Sequence, residues 1–328
     1  MSLHAFVTGA SGFVGMNLVH QLVEQGWEVT ALVRKNSPLE DIQDLGIRLV
    51  QGDITEAASV QNAMPGGLDC VFHVAASTNM WAPKNDTQTR VNIDGTRNVL
   101  EAAISSGAKR LVHTSSFIVW GFGQGVLTEE CPRLENADWI NYVRTKYAAE
   151  LIIKEAVKGQ RIDAVIVNPA HILGPGDRWN WSRVISLVNQ NKLPGVPPGG
   201  GAFCDVREIA RAHIQAFHHG QTGHNYLLGG EDTMFLEVVK MTGEILDKKV
   251  PGRSTPAWLL KLAARVYVGI AAFTGKEPDL TPESTAVITR HIKCDSSKAI
   301  KELKYRFTPV HELLIDTVGW MRAKGMLS

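Results

Sequence analysis

Short, almost wholly apolar runs alternate with longer amphipathic stretches through the first half of the chain. The runs Leu3–Thr8, Glu28–Val33, Arg48–Gln51, Cys70–Val74, Arg110–Thr114 and Ala164–Val167 are rich in Val, Ile and Leu. That composition belongs to strands covered on both faces, whereas half-exposed strands alternate apolar with polar positions. Between the runs, Val14–Gln25, Glu56–Ala63, Thr89–Ser106 and Tyr142–Val157 repeat apolar residues three or four apart, the period of a helix. The alternation predicts an α/β fold built on a doubly wound parallel sheet. Past Pro169 the pattern changes to loops rich in Gly and Pro, notably Leu193–Gly201, then helical segments and one short strand at Asn225–Leu228. The expected organisation is a first domain over 1–168, to which some later segments return, and a smaller C-terminal α/β lobe over 169–328.

Composition narrows the partners. The chain has 328 residues, 44% hydrophobic and 20% charged, with a formal net charge of +1. That length suits two lobes with ample core, and the near-neutral balance provides no field to gather nucleic acid, so a small molecule is the expected partner. Cys70, Cys131, Cys204 and Cys294 lie far apart, without the paired spacing of a zinc site or a redox dithiol. The histidines, His218 and His219 among them, show no convergence with acids or cysteines, so no metal is expected. The first nine residues run straight into an apolar strand and a glycine turn; this reads as a chain without an export signal and hence cytoplasmic. The most apolar stretch, 257–273, is interrupted by Lys261 and Arg265. As a helix it extends only about 26 Å, short of the roughly 30 Å hydrocarbon core of a bilayer. It reads as a packed helix with two solvated cations, the alternatives being an amphipathic lid over an apolar site or a helix in weak contact with a membrane surface.

Chemistry enters at the end of the first strand. Thr8-Gly9-Ala10-Ser11-Gly12-Phe13-Val14-Gly15 leaves that strand and opens the first helix. It places three glycines where a tight turn, close approach of a diphosphate and helix packing each require one. Gly9, Ser11, Gly12, Phe13 and Val14 are therefore candidate dinucleotide contacts, with backbone N–H groups at a helix start holding the diphosphate. The first domain thus reads as a Rossmann-type nucleotide-binding domain. At the end of the second strand, where an acid would take a ribose 2′-hydroxyl, the residues are Arg34 and Lys35. Two cations there favour a 2′-phosphate, and the expected cofactor is NADP (NADPH).

Tyr142 and Lys146 are four residues apart in a helical segment and share one face. A phenol titrating near 10 shuttles protons poorly at neutral pH; a neighbouring ammonium is expected to favour the phenolate and bring that pKa toward the working range. Ser116 lies just past the fifth strand, at the edge where open α/β sheets bind ligands, and its hydroxyl is placed to polarise a carbonyl. Ser116, Tyr142 and Lys146 are the catalytic candidates.

Taken in order, these segments resemble the extended short-chain dehydrogenase/reductase superfamily over almost the whole chain. Thr8–Gly15 matches its TGxxGxxG loop, Asn92–Leu100 its NxxGTxNVL helix, and Ser116 with Tyr142-x-x-x-Lys146 its serine and YxxxK pair. The resemblance implies further cofactor contacts: Asp53 and Ile54 in the turn beside adenine, Ala75 and Ala76 at the strand end under the cofactor, and Pro169 and Ile172 beside the nicotinamide, where Tyr142 and Lys146 also reach. Asn92 is expected either to tie down its helix or to relay protons. Departures choose among the superfamily's chemistries. Dehydratases carry an Asp-Glu pair after the hydroxyl residue, where this chain has Phe117 and Ile118; sugar-nucleotide epimerases commonly carry an arginine where it has Gly201, although Arg178 or Arg183 offers a substitute. Asp205–His213, the apolar helix from Trp258 and the Gly275–Thr281 turn look like dihydroflavonol reductase and 3β-hydroxysteroid dehydrogenase relatives, which act on bulky apolar alcohols and ketones.

The expected activity is therefore NADPH-dependent reduction of a small, fairly apolar ketone or aldehyde. Thr78, Trp81, Phe117, His171 and Trp179 are candidate substrate contacts, and Met80, Trp120, Phe122 and Trp181 offer further apolar walls. Each of these aromatics has the competing reading of ordinary packing. Two alternatives stand beside the reductase: an epimerase that retains NAD, and a non-catalytic NADP-binding regulatory protein. The chain is expected to be a monomer or a homodimer, paired if so through the helices Asn92–Ser106 and Tyr142–Val157.

Overall fold

The protein is described by a computed structural model over residues 2–123 and 125–327. From the N-terminus the chain runs β1 (His4–Thr8), α1 (Phe13–Glu24), β2 (Glu28–Val33), β3 (Arg48–Gln51), α2 (Ala57–Ala63), β4 (Cys70–His73) and α3 (Asn85–Thr89). A π-turn, Arg90–Asp94, joins α3 directly to α4 (Gly95–Ser105). Then follow β5 (Arg110–Thr114), β6 (Val126–Leu127), α5 (Asn141–Lys158), β7 (Ala164–Pro169), β8 (His171–Leu173), α6 (Trp181–Asn189), β9 (Gly200–Asp205), α7 (Val206–His219), β10 (Asn225–Leu228) and β11 (Glu231–Met234). The last elements are α8 (Phe235–Leu246), α9 (Ala257–Thr274), α10 (Pro282–Ile288), β12 (His291–Cys294), α11 (Ser297–Leu303) and α12 (Val310–Ala323).

Seven strands form one sheet in the order β3-β2-β1-β4-β5-β7-β10, every pair parallel. The chain winds outward one way from β1 and then the other way from β4, so the β1/β4 boundary is the switch point at whose C-terminal edge such sheets open a crevice. The continuous apolar character of these strands follows from their two covered faces. Phe6, Val71 and Leu111 pack with Val99 and Ile153 of the α4/α5 side. Their neighbours Val7, Phe72 and Val112 pack with Leu18 and Ile209 on the α1/α7 side. β10 and α7, both from the second half of the chain, thus belong to the sheet and its cover.

A second sheet runs β11-β9-β12-β6, with β8 on the other flank of β9; β11 pairs antiparallel and the rest are parallel. Its layer closes over Phe203, Phe235, Leu313 and Leu314. Two expectations need correcting. The helix expected over Thr89–Ser106 begins earlier, at Asn85, and carries an extra residue in its π-turn. The 257–273 segment is helical, but it is not a packed helix: among its residues only Ala264 and Ala271 are buried, and Trp258, Leu262, Val266, Ile270 and Phe273 face solvent. Small residues along one stripe let α9 rest closely against α10 and leave the large side chains outside.

Candidate active site

The glycine turn is built around one close approach. Gly9 has φ +72°, and a Cβ there would lie 2.7 Å from Ala75 N, because the ends of β1 and β4 all but touch. A Cβ on Gly15 would lie 2.1 Å from Gly9 O, so α1 crosses the turn at a distance only glycine permits. Gly12 caps α1 without a side-chain hydrogen bond, which leaves first-turn N–H groups directed at whatever lies before the helix. Arg34 and Lys35 are exposed in the turn after β2, and among the described residues neither side chain has an ion-pair partner. Asp53 Oδ1 accepts from Thr55 N and Oγ1 at 2.9 and 2.8 Å, closing the turn after β3; Ile54 is buried, its carbonyl accepting from Asn98 Nδ2 at 2.8 Å. A helix start bare of side-chain caps, glycines where a Cβ would fill the cradle and free cations one strand away fit a dinucleotide.

Polar pins hold the strand ends. His73 Nε2 meets Thr96 Oγ1 at 3.0 Å, and Thr96 Oγ1 itself donates to Asn92 O at 2.7 Å, so the imidazole must be the donor. Its Nδ1 then accepts from Thr8 Oγ1 at 2.8 Å, and the same Thr8 oxygen accepts from Ala75 N at 3.3 Å. His213 is fixed the same way: Nδ1 donates to Ile209 O at 2.7 Å, and Nε2 accepts from Thr114 Oγ1 at 2.7 Å. Both rings are neutral by construction, and burial holds His73 down to about 3 and His213 to about 4. Neither was singled out from the sequence, where a lone strand or helix histidine carries no signal.

Ser116 caps a short 3₁₀ turn, Phe117–Trp120, at the end of β5, and its carbonyl accepts from Asn168 Nδ2 at 3.1 Å. Tyr142 and Lys146 stand one turn apart on α5 and face the same strand end. The Tyr142 phenol lies near enough to the Ser116 hydroxyl for that hydroxyl to oppose the effect of burial on it, and Lys146 Nζ donates to Thr114 O at 2.6 Å. The structure thus brings the three candidates together. It reverses the expected electrostatics of the phenol. Burial pushes Tyr142 up, only partly offset by Ser116, while burial pulls Lys146, 2% exposed, down to about 8 against the opposing charge of Glu150. Lys146 points its amine at a backbone carbonyl, and at the phenol desolvation outweighs the opposing hydroxyl of Ser116. Glu150 was not foreseen. It continues the Tyr142–Lys146 stripe by one more turn and is held by Asn168 and Asn225 at 2.6 and 3.1 Å; the i+4 repeat was the available signal.

Asn92 sits in the π-turn, where such bulges often occur at functional sites. It accepts from Ser77 N at 2.8 Å and donates to Ser77 O and Thr145 Oγ1, both at 3.0 Å, so its amide is committed to holding the loop after β4 against α5. Gln88 grips the same loop through Ser77 O and Asn79 O. That loop carries Ala76 and Thr78, both exposed, then Met80 and Trp81. It is stitched to the turn after α9: Glu277 receives Asn79 Nδ2 and Lys84 Nζ, and Thr281 Oγ1 donates to Met80 O at 2.7 Å.

The aromatic candidates divide. Phe117 is buried edge-to-face against His171, whose ring also meets Phe203 and Phe235 with centroid separations of 5.3–5.5 Å. This apolar cage holds His171 down to about 4. Trp181 packs on Phe203 and Phe235 inside the smaller layer, and Trp120 is buried in the cluster with Phe117. Trp179, 83% exposed, lines a depression with Ser11, Gly12, Phe13 and Pro38, which puts it with the glycine turn. Ile172 pairs with Cys204 in the β8/β9 ladder, and Pro169 ends β7 beside Leu228. At Gly201 a Cβ would lie 2.9 Å from both His171 Cδ2 and Ile292 O. Among the described residues no three His, Cys, Asp or Glu side chains group as metal ligands.

Residues 5–229 match the NAD dependent epimerase/dehydratase family. The chain belongs to that family. Its members share the extended short-chain dehydrogenase/reductase fold described above and are oxidoreductases and epimerases that use nicotinamide cofactors. A Synechocystis sp. protein provisionally named dihydroflavonol 4-reductase is 33% identical, over 98% of this chain and 95% of its own length. The sterol demethylase protein B of Methylococcus capsulatus is 29% identical over 98% of this chain and 99% of its own. Among solved structures of the same fold, the crystal structure of gox2253 superposes with a TM-score of 0.85 at 30% identity, over 99% of both chains.

Proposed function

We propose that this family member is an NADPH-dependent reductase that converts the ketone or aldehyde of a small, apolar, ring-bearing substrate to an alcohol. The observation that carries the reading is the convergence of Ser116, Tyr142 and Lys146 on the end of β5, where burial raises the phenol. A raised phenol remains protonated at neutral pH, which is the state a proton donor to a developing alkoxide needs. A protonated phenol agrees with reduction, in which Tyr142 serves as the acid.

NADPH would be held by the glycine turn, by Arg34 and Lys35 at the 2′-phosphate, by Asp53 and Ile54 at the adenine side, and by Ala75, Ala76, Pro169 and Ile172 along the crevice; when bound, it supplies the hydride. Ser116 and Tyr142 donate hydrogen bonds to the substrate oxygen and stabilise charge developing there. Tyr142 passes its proton to that oxygen, and Lys146, with an amine titrating at about 8, stands next in line to exchange protons with it. Phe117 and His171 offer the apolar wall. The names of the dihydroflavonol reductase and sterol demethylase relatives agree with a bulky apolar substrate.

The epimerase alternative is less well supported. An arginine at Gly201 would have to displace His171 and meet the Ile292 carbonyl, and Phe117 and Ile118 are buried apolar residues where a dehydratase needs acids. NADPH consumption with a panel of apolar carbonyl compounds of graded size tests the proposal. Tyr142→Phe should lose about 10²- to 10⁴-fold in turnover while still binding NADPH. Wild-type-like turnover in that variant defeats the mechanism, and stoichiometric NAD carried through purification defeats the reductase reading.

A further inference from the structure

Among the described residues, helix α9 carries more exposed bulky apolar side chains than any other element: Trp258, Leu259, Leu262, Val266, Tyr267, Ile270 and Phe273. At about 100° per residue, the inward stripe of Ala257, Leu260, Ala264, Val268 and Ala271, with Ala264 and Ala271 buried and the others half-buried, occupies one side. Trp258, Leu262, Val266, Ile270 and Phe273 occupy the opposite side, Phe273 being 94% exposed. A run of this length would ordinarily be buried in a soluble protein or hidden by a partner. Its mean hydropathy of 1.4 reaches that of membrane helices, yet the alanine stripe is already engaged with the protein. The helix must therefore lie along a surface instead of crossing one.

The charge around it selects the surface. No Asp or Glu occurs between Asp247 and Glu277, while Lys248, Lys249, Arg253, Lys261, Arg265 and Lys276 all fall in that interval. In a chain whose net charge is only +1, this segment concentrates positive charge without a single carboxylate. Lys261 and Arg265 lie one turn apart along one edge of the apolar face, both exposed, where their heads can stand in an anionic layer while their stems follow the apolar side chains. Trp258 and Tyr267 supply the aromatic residues that settle at the boundary between hydrocarbon and water. A second copy of the chain would bring the same positive charge against itself; an anionic bilayer complements it.

We propose that α9 docks this protein on the surface of an anionic lipid bilayer, with its apolar face sunk among the acyl chains and Lys261 and Arg265 at the headgroups. The proposal is independent of the reaction assigned above. The turn after α9 is the one stitched to the loop Ser77–Lys84, so docking sets the α5 side of the crevice next to the lipid.

The full-length protein is to be co-sedimented with vesicles of equimolar phosphatidylglycerol and phosphatidylcholine and, separately, of phosphatidylcholine alone, at about 0.1 M and about 1 M salt. Binding is expected to the anionic vesicles, stronger than to the neutral ones, and weakened at high salt. Val266→Asp with Ile270→Asp, both at exposed positions, should reduce it about tenfold or more. Lys261→Glu with Arg265→Glu should remove the preference for anionic lipid. Unchanged circular dichroism and thermal midpoint in both variants show that the fold is kept. Wild-type binding no stronger than that of the aspartate variant overturns the proposal, as does equal binding to both vesicle types. A wild-type dimer that the aspartate variant dissociates, with no vesicle binding, also overturns it and assigns the face to a second copy.

Discussion

Acid should destabilise this protein well before its carboxylates are neutralised, and the reason lies in two hydrogen-bonded histidines. His73 and His213 are fully buried, and in each one nitrogen donates while the other accepts from a threonine hydroxyl, so neither has room for a second proton. Their folded-state values near 3 and 4 lie below the ordinary histidine value of about 6.5. As pH falls from about 6.5 toward 4, the unfolded chain takes up protons that the folded chain refuses, and stability drops with pH. At pH 5 each group costs about 2 kcal/mol, together about 4 kcal/mol, against a total stability of roughly 5–15 kcal/mol. His113 and His171, also held low by burial, act with the same sign. Asp41, Asp69 and Asp232, held low by cations beside them, are lost only at lower pH. Urea unfolding followed by circular dichroism at pH 7, 6 and 5 measures the slope. His213→Asn, which keeps a donor for Ile209 O but cannot charge, should lower stability at pH 7 yet remove about 2 kcal/mol of the pH-dependent drop. A stability that is flat from pH 7 to 5, or a drop of the same size in that variant, refutes the reasoning.

Two further outcomes are expected. Arg34→Asp should weaken NADPH by about tenfold or more while leaving NADH nearly unchanged, because it removes a 2′-phosphate partner and adds a repelling charge; titration of both nucleotides checks it, and equal losses remove the NADP assignment. Gly15→Ala drives a methyl to 2.1 Å from Gly9 O, backbone against backbone, so it should cost more than about 2 kcal/mol in stability and abolish tight nucleotide binding; denaturant midpoints and dinucleotide titration both read it, and a neutral result contradicts the packing described.

The parallel sheet was legible because its strands are apolar on both faces, which marks β1, β2, β3, β5 and β7 to within a residue or two. The smaller sheet was not. β6 spans two residues, and β11 reads Glu-Asp-Thr-Met; such segments become strands only because β12 and β9 lie beside them, a tertiary cause with no local trace. That Ser116, Tyr142 and Lys146 would gather at one strand end was readable from a strand end and a four-residue spacing taken together with the glycine loop. The sign of the phenol's shift was not, since it depends on how deeply the fold buries the ring, and the amine expected to lower it turns to Thr114 O. Asn92 was left between two roles by the sequence; its three hydrogen bonds to Ser77 and Thr145 decide for positioning. The 257–273 segment shows the limit of periodicity: composition cannot say which side of an apolar helix the rest of the chain will cover.

The π-turn at Arg90–Asp94 makes the length of that helix matter as much as its composition. One residue more per turn rotates the helix before the step by about 100° against the part after it, and Gln88 and Asn92, four residues apart on one face, both reach the same short loop from there. The helix therefore works like a key cut with one notch. Losing or gaining a single residue between Gln88 and Gly95 would swing Gln88 away from its carbonyls and release the crevice wall, with Ser116, Tyr142 and Lys146 all still in place.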